Sequence, residues 1–161
     1  IEDQRSLQLK SPLPIELQGW QLSRHHLLQL QVGDTQVERL SLHATREVSA
    51  ECQRSLSYEA LFADGQLVEM EHSYSATGCA ENPAENLWLS ASWLNDGSLA
   101  QLLSTQGHSP TSSWEAFSAT QPVACLNPDN PQNRQPTTTQ LAILEQQVAT
   151  LQRLRRAFLE Q

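Results

Sequence analysis

The sequence predicts a mostly β fold of the α+β class: an antiparallel meander of six to eight strands, either a curled sheet or a barrel, then a long Pro-rich loop and one C-terminal amphipathic helix. Three observations predict it. Apolar and polar residues alternate in several stretches of residues 20–119, glycine-containing turns separate these stretches in pairs, and the only long segment with helically spaced apolar residues lies at the C-terminal end.

Each predicted hairpin turns at a short glycine-containing sequence. The first turns at Gly33-Asp34, the second at Asp64-Gly65 and the third at Asn95 to Gly97. Such sequences supply the left-handed backbone that tight hairpin turns need, and apolar alternation resumes after each of them. The three hairpins account for six strands.

The alternation also selects the turn of the second hairpin. A two-residue turn would put glutamates on the apolar face, whereas a three-residue loop places Ala60 opposite Val68. It also places Tyr58 opposite Met70, so we expect this loop. The same rule predicts one shared face in the third hairpin. Its members are Leu87, Leu89, Ala91, Trp93, Leu99, Gln101 and Leu103.

The length suits one domain, residues 1–161. Pro12 and Pro14 limit the N-terminal segment to an extended edge, since proline cannot donate to a central ladder. Residues 112–119 are a seventh candidate strand. The expected segments are the N-terminal extension (1–19), the antiparallel β body (20–119), the Pro-rich loop with four of the eight prolines (120–136) and the helix (137–161).

The C-terminal helix carries one apolar stripe. Its residues are Leu141, Leu144, Val148, Leu151 and Phe158, with Leu154 and Leu159 at the margins. Arg155 falls within the stripe, where it either snorkels from a docked helix, pairs with an acid of a partner or belongs to a frayed last turn. We expect the helix to dock on its own sheet. Its end, with Arg153, Arg155, Arg156 and Phe158, is the predicted partner-binding site.

Charge and hydropathy exclude several classes of partner. The chain has 18 acids and 10 bases, a formal charge of −8, which argues against nucleic acid or an anionic membrane surface as the main partner. No apolar run is long enough for a membrane span. The helical segment 137–161 carries two acids and three bases, so its charge is opposite to that of the acidic remainder.

Three cysteines bear on the compartment. Pairing of Cys52 with Cys79 is predicted because Cys79 lies in a polar loop, while Cys125 lies in an apolar context that suggests burial. The alternative is three reduced thiols in a cytosolic protein. The disulfide, together with a start at Ile1 that fits a processed chain or a removed tag, favours a bacterial periplasmic or secreted protein, with a cytoplasmic location as the alternative.

Catalytic and cofactor motifs are not found. No nucleophile elbow, metal-ligand spacing or phosphate loop occurs, so we expect no cofactor or metal and lean against an enzyme. Glu69 and Glu71 share a strand face and are interpreted as solvated. The candidate ligand-lining residues are the aromatic and imidazole side chains Trp20, Tyr58, His72 and Trp93.

Two functions follow as hypotheses. The first is a non-enzymatic interaction or assembly-accessory protein that docks a protein partner through its sheet edge or C-terminal helix. The alternative is a small-molecule β-barrel that binds an apolar ligand in a Trp-lined cavity. Core packing is the competing explanation for the tryptophans.

Overall fold

The alternating stretches form the strands of one antiparallel sheet in a computed structural model, which describes residues 4–78, 86–106 and 138–160. Spatial strand order equals sequence order, from β1 to β7. The strands are β1 (Gln4–Leu7), β2 (Gln21–Val32), β3 (Thr35–Glu47), β4 (Gln53–Ala63), β5 (Gln66–Thr77), β6 (Leu87–Trp93) and β7 (Leu99–Gln106), a short 3₁₀ turn spans Ile15–Leu17, and the helix is α1 (Thr138–Leu159).

The predicted mostly β meander with a C-terminal helix is confirmed, and the sheet is open. β1 pairs only with β2 and β7 only with β6 among the described strands, so the barrel alternative is wrong. The candidate strand at 112–119 and the Pro-rich loop at 120–136 lie outside the described residues. Within the described part of the chain, no helix has the length and hydropathy needed to cross a membrane.

The sheet has two chemically different faces, because successive side chains of a strand point to opposite sides. We call the side packed against α1 the covered face and the other side the polar face. One cross-strand row of the covered face is Leu42, Tyr58, His72 and Leu89. The neighbouring row of the polar face is Ser41, Glu59, Glu71 and Ser90.

The second hairpin corrects the expected turn. Its loop has two residues, Asp64 and Gly65, both with positive φ, and Phe62 lies opposite Leu67. The predicted pairing of Ala60 with Val68 is therefore wrong. A bulge at Val68 shifts the register, so Ala60 faces Met70 instead. The bulge restores apolar pairing that an unbulged two-residue turn would have lost.

The third hairpin uses a bulge at the equivalent place. The amide of Leu94 donates to the carbonyl oxygen of Ser98 at 2.8 Å, which closes the expected three-residue turn. Trp93 lies opposite Leu99, but Ala100 bulges and reverses the side chains that follow. Leu102 therefore faces the helix, and the expectation that Gln101 and Leu103 share the face of Trp93 is wrong.

Helix α1 crosses the covered face diagonally. Its first turns contact β7, where Gln140 Nε2 donates to Ser104 Oγ at 3.4 Å. Its middle lies over β4, where Tyr58 donates to Gln147 Oε1 at 2.6 Å. Four apolar helix side chains are buried in the core: Leu144, Leu151, Leu154 and Phe158. Each contributes about 1.5–3 kcal/mol by leaving water, so the stripe holds the helix on the sheet.

The buried stripe is rotated slightly from the predicted one. Leu154, expected at the margin, has no exposed surface, whereas Leu141, expected at the centre, is 37% exposed. The line of burial follows the diagonal crossing of the helix over the twisted sheet.

A buried ion pair lies where the helix passes β3. Arg155 Nε donates to Glu38 Oε1 at 2.6 Å, and the Glu38 side chain is 1% exposed. Gln29 Nε2 donates to the other carboxylate oxygen at 2.9 Å. The Arg155 guanidinium also lies 5.6 Å from the centroid of the Phe62 ring. An Arg within the apolar stripe is thus explained by an acid of the same chain.

Replacing Arg155 by Met should lower the free energy of unfolding by about 3–5 kcal/mol, because the buried Glu38 carboxylate loses its charged partner. Urea denaturation measures this. The double variant Arg155→Met/Glu38→Met should recover most of the loss. Arg156→Met is the matched control, since Arg156 is exposed on the same helix, and it should change stability by less than about 0.5 kcal/mol. A loss below about 1 kcal/mol in the single Arg155 variant contradicts this role.

Candidate functional site

The four predicted partner-binding residues occupy different environments. Phe158 has no exposed surface, and Arg155 is held by Glu38. Arg153 pairs through Nε with Glu16 of the 3₁₀ turn and donates from Nη2 to Thr150 Oγ1 at 3.2 Å. Only Arg153 and Arg156 have the surface exposure that direct contact with a partner needs. The role of the set stays a prediction.

Two of the predicted ligand-lining residues stack beneath the helix. The rings of Tyr58 and His72 have centroids 4.2 Å apart at an interplanar angle of 20°. His72 Nδ1 lies 2.9 Å from the carbonyl oxygen of Ser57. Burial raises the pKa of the Tyr58 phenol, and burial lowers the pKa of His72 to about 4. Both side chains are therefore neutral members of the core at physiological pH.

The two predicted tryptophans lie at opposite ends of the covered face. Trp20 meets Tyr74 edge-on, with ring centroids 6.3 Å apart. Trp93 lies beside Leu99 at the turn between β6 and β7. Both pack against the rim of the core that α1 covers. The structure therefore does not bring the predicted lining residues together, and their ligand role stays a prediction without the closed barrel on which it depended.

A polar groove of about 540 Å³ lies on the polar face. Its acidic and basic lining residues separate by strand, with acids on β4 and β5 and bases on β2 and β3. The acids are Glu59, Glu69 and Glu71, and the bases are Arg24, His26 and Arg39. Paired strands position all of them, so their spacing follows from the register of the sheet, including the register shifts beside Arg24 and Glu69.

Like charges meet in the acidic half of the polar groove. Glu59 lies directly opposite Glu71, an arrangement that costs stability across antiparallel strands. Ser41 Oγ donates to Glu59 Oε1 at 2.9 Å, and His43 Nε2 lies 3.3 Å from the same atom. Burial raises the pKa of Glu71, the charge of Glu59 adds to that effect, and a hydrogen bond with Trp88 opposes it. The carboxylates are thus concentrated and only partly compensated.

Sequence reasoning identified Glu69 and Glu71 on one strand face but interpreted them as solvated. It did not identify Glu59 as their neighbour, because this depends on the register between β4 and β5. The signal was present: Glu59 alternates with apolar residues, as Glu69 and Glu71 do. Pairing those two alternations correctly would have placed the three carboxylates side by side.

A second depression, which we call the helix-end crevice, lies between the N-terminal segment and the last turns of α1. Its volume is about 570 Å³. Its apolar lining consists of Pro12, Leu13, Pro14 and Ala157. Its charged lining consists of three cations and one anion, namely Lys10, Arg153, Arg156 and Glu160. The crevice therefore combines apolar surface with a local excess of positive charge.

No model of a known protein family, no curated protein and no solved structure matches the chain. Among residues 4–78, 86–106 and 138–160, no group of three or more His, Cys, Asp and Glu side chains has a geometry that could hold a metal ion.

His72 should make stability depend on pH. Its pKa is about 4 in the folded protein against 6.5 in the unfolded chain, so the unfolded chain binds an extra proton between these values. The contribution of neutral His72 to the free energy of unfolding is complete above pH 6.5. As the pH falls towards 4, the free energy of unfolding decreases by roughly 3 kcal/mol. Urea denaturation from pH 7.5 to 4.5 should show this slope. His72→Phe keeps an aromatic ring against Tyr58 and should reduce the dependence of the free energy of unfolding on pH. Parallel slopes for the variant and the unsubstituted protein contradict the assignment of this dependence to His72.

Proposed function

We propose that the protein is a non-enzymatic interaction module that docks a protein partner at the helix-end crevice. The single observation that carries the proposal is the chemistry of this depression. Lys10, Arg153 and Arg156 surround apolar surface from Leu13 and Ala157, in a chain whose formal charge is −8. A local basic and apolar patch on an acidic protein selects a partner segment with acidic and apolar side chains.

The walls of the crevice are held in place, which favours binding because less order is lost on association. On the N-terminal side, the amide of Leu9 donates to His25 Nδ1 at 3.1 Å, and Leu17 is fully buried. The pair between Arg153 and Glu16 joins this segment to the helix. The crevice is therefore formed before a partner arrives.

The two sides of helix α1 have different roles. Its apolar stripe is used within the chain, since Leu151 and Phe158 have no exposed surface. Its exposed flank near Arg156 remains for a partner. Arg156 at the edge of an apolar depression suits recognition of a carboxylate, because a guanidinium group binds it in a fixed fork geometry, whereas Arg153 is already paired with Glu16.

A fluorescein-labelled peptide with two Leu and three Glu residues is the probe for this site. It should bind with a measurable anisotropy change, and the same peptide with Gln in place of Glu should bind at least about tenfold more weakly. Arg156→Glu should weaken the binding of the acidic peptide by a similar factor. Arg39→Glu, an equal charge reversal on the polar face, should weaken it much less. Equal affinities for the two peptides, or equal effects of the two substitutions, contradict the proposal.

We also propose that Cys52 and Cys79 form a disulfide and that the protein is periplasmic or secreted, in an oxidising environment. Cys79 lies outside the described residues, but the chain just before it approaches Cys52: a Cβ on Gly78 would clash with the carbonyl oxygen of Glu51. Gln53 and Thr77 are the last pair of this ladder. A bridge here closes a loop of about 27 residues and stabilises the fold by roughly 3–4 kcal/mol.

Intact mass after alkylation of the denatured protein tests the bridge. One alkylated thiol without reductant and three with reductant are expected. Three alkylated thiols in both samples, from protein purified under oxidising conditions, would refute the bridge and favour a reducing compartment.

A further inference from the structure

The polar groove is a second recognition surface, independent of the helix-end crevice. It lies on the face of the sheet opposite to α1, and strands β2 to β7 carry its lining. The groove therefore presents side chains at fixed spacings. Neighbouring antiparallel strands are about 4.8 Å apart, so positions two strands apart in one row are separated by about 10 Å.

One row of the polar groove carries opposite charges at this separation. Arg39 on β3 pairs with Leu61 on β4, and Leu61 pairs with Glu69 on β5. Both charged residues are exposed, while Leu61 between them is half-buried. Within the described part of the chain, the side chains of Arg39 and Glu69 are joined to other residues by no hydrogen bond or ion pair. The row thus offers an anion, an apolar surface and a cation in line.

The adjacent row strengthens the acidic end. Glu59 and Glu71 lie opposite each other two residues along the strands, in the next row of the same face, and their mutual repulsion favours a cation bound beside them. Ser90 and Ser92 on β6 add hydroxyl groups to the same side of the groove. Because the charge of the lining changes sign across the strands, the complementary ligand also carries both signs.

We infer that the polar groove binds an extended segment of a partner protein that lies across the strands and carries a basic and an acidic residue three positions apart. In the extended polyproline II conformation a chain has three residues per turn and rises about 3.1 Å per residue, so residues i and i+3 lie on one face about 9 Å apart and match Arg39 and Glu69. The basic residue lies over Glu69 and Glu71, the acidic residue over Arg39, and the residues between them over Leu61. The contacts are made by side chains, so both chain directions are accepted.

Two composition-matched peptides test the spacing. The first probe has the sequence Gly-Lys-Ala-Ser-Glu-Gly with blocked ends, and the second, Gly-Lys-Glu-Ala-Ser-Gly, has the same residues with adjacent charges. The full chain, labelled with ¹⁵N, is titrated with each peptide and observed by NMR. The first peptide should give saturable amide shifts confined to β3, β4, β5 and β6, and the second should bind at least about threefold more weakly.

Variants separate this site from the helix-end crevice. Glu69→Gln and Arg39→Gln should each lower the affinity for the first peptide by about threefold or more. Both residues are exposed, so the substitutions leave the fold intact. Arg156→Glu, which belongs to the crevice, should leave its affinity unchanged. A peptide with Lys at both positions should bind more weakly than the first. Equal binding of the two spacings, tighter binding of the double-Lys peptide, shifts centred on the crevice, or no saturation at millimolar peptide would each overturn the inference.

Discussion

The covered face of the sheet must be buried, and within the described residues α1 buries it together with Leu9 and Leu17 of the N-terminal segment. Apolar side chains from several strands converge on this face, and four apolar side chains of the helix complete their packing. The pair between Arg155 and Glu38 fixes where the helix lies along the sheet, because a carboxylate with 1% exposure tolerates little displacement from its cation. Packing provides the attraction, and the ion pair provides the alignment.

This alignment determines which surfaces remain for recognition. With the apolar stripe of α1 occupied by its own sheet, the helix contributes only its exposed flank, which forms one wall of the helix-end crevice. The sheet contributes only its other side, which forms the polar groove. The two depressions differ in charge and in construction: one joins a helix end to an N-terminal segment, and the other is built entirely on strands. If both proposed sites bind, two such surfaces on one chain suit bridging between partners or between two segments of one partner.

Much of the fold could be predicted from the sequence because its signals are local. The glycine-containing turns and the alternation around them marked all three hairpins, and the helical spacing marked α1. The bulges at Val68 and Ala100 could not be predicted in this way. A bulge reverses the alternation of the residues that follow it in its own strand, and its position becomes visible only when both strands are placed together.

The candidate sites were less predictable for the same physical reason. Arg155 was recognisable as an unusual residue in an apolar stripe, but its partner Glu38 is 117 positions away in sequence and is brought near by the sheet. Likewise, Glu59 and Glu69 belong to one groove only after the register of β4 and β5 is known. Sequence patterns indicate which face of a strand or helix a residue occupies. A site depends in addition on which strands pair and in which register, and on where the helix packs against the sheet.

Native-state hydrogen exchange of α1 tests the central claim most directly, because it measures the free energy needed to detach the helix from the sheet. If the helix is an integral part of the core, the slowest amides between Leu144 and Phe158 exchange with the same opening free energy as those of β3 and β4, and with the same dependence on denaturant. If those helix amides open at a free energy about 2 kcal/mol or more below that of the strands, the helix is a detachable element, and its apolar stripe is itself available to a partner.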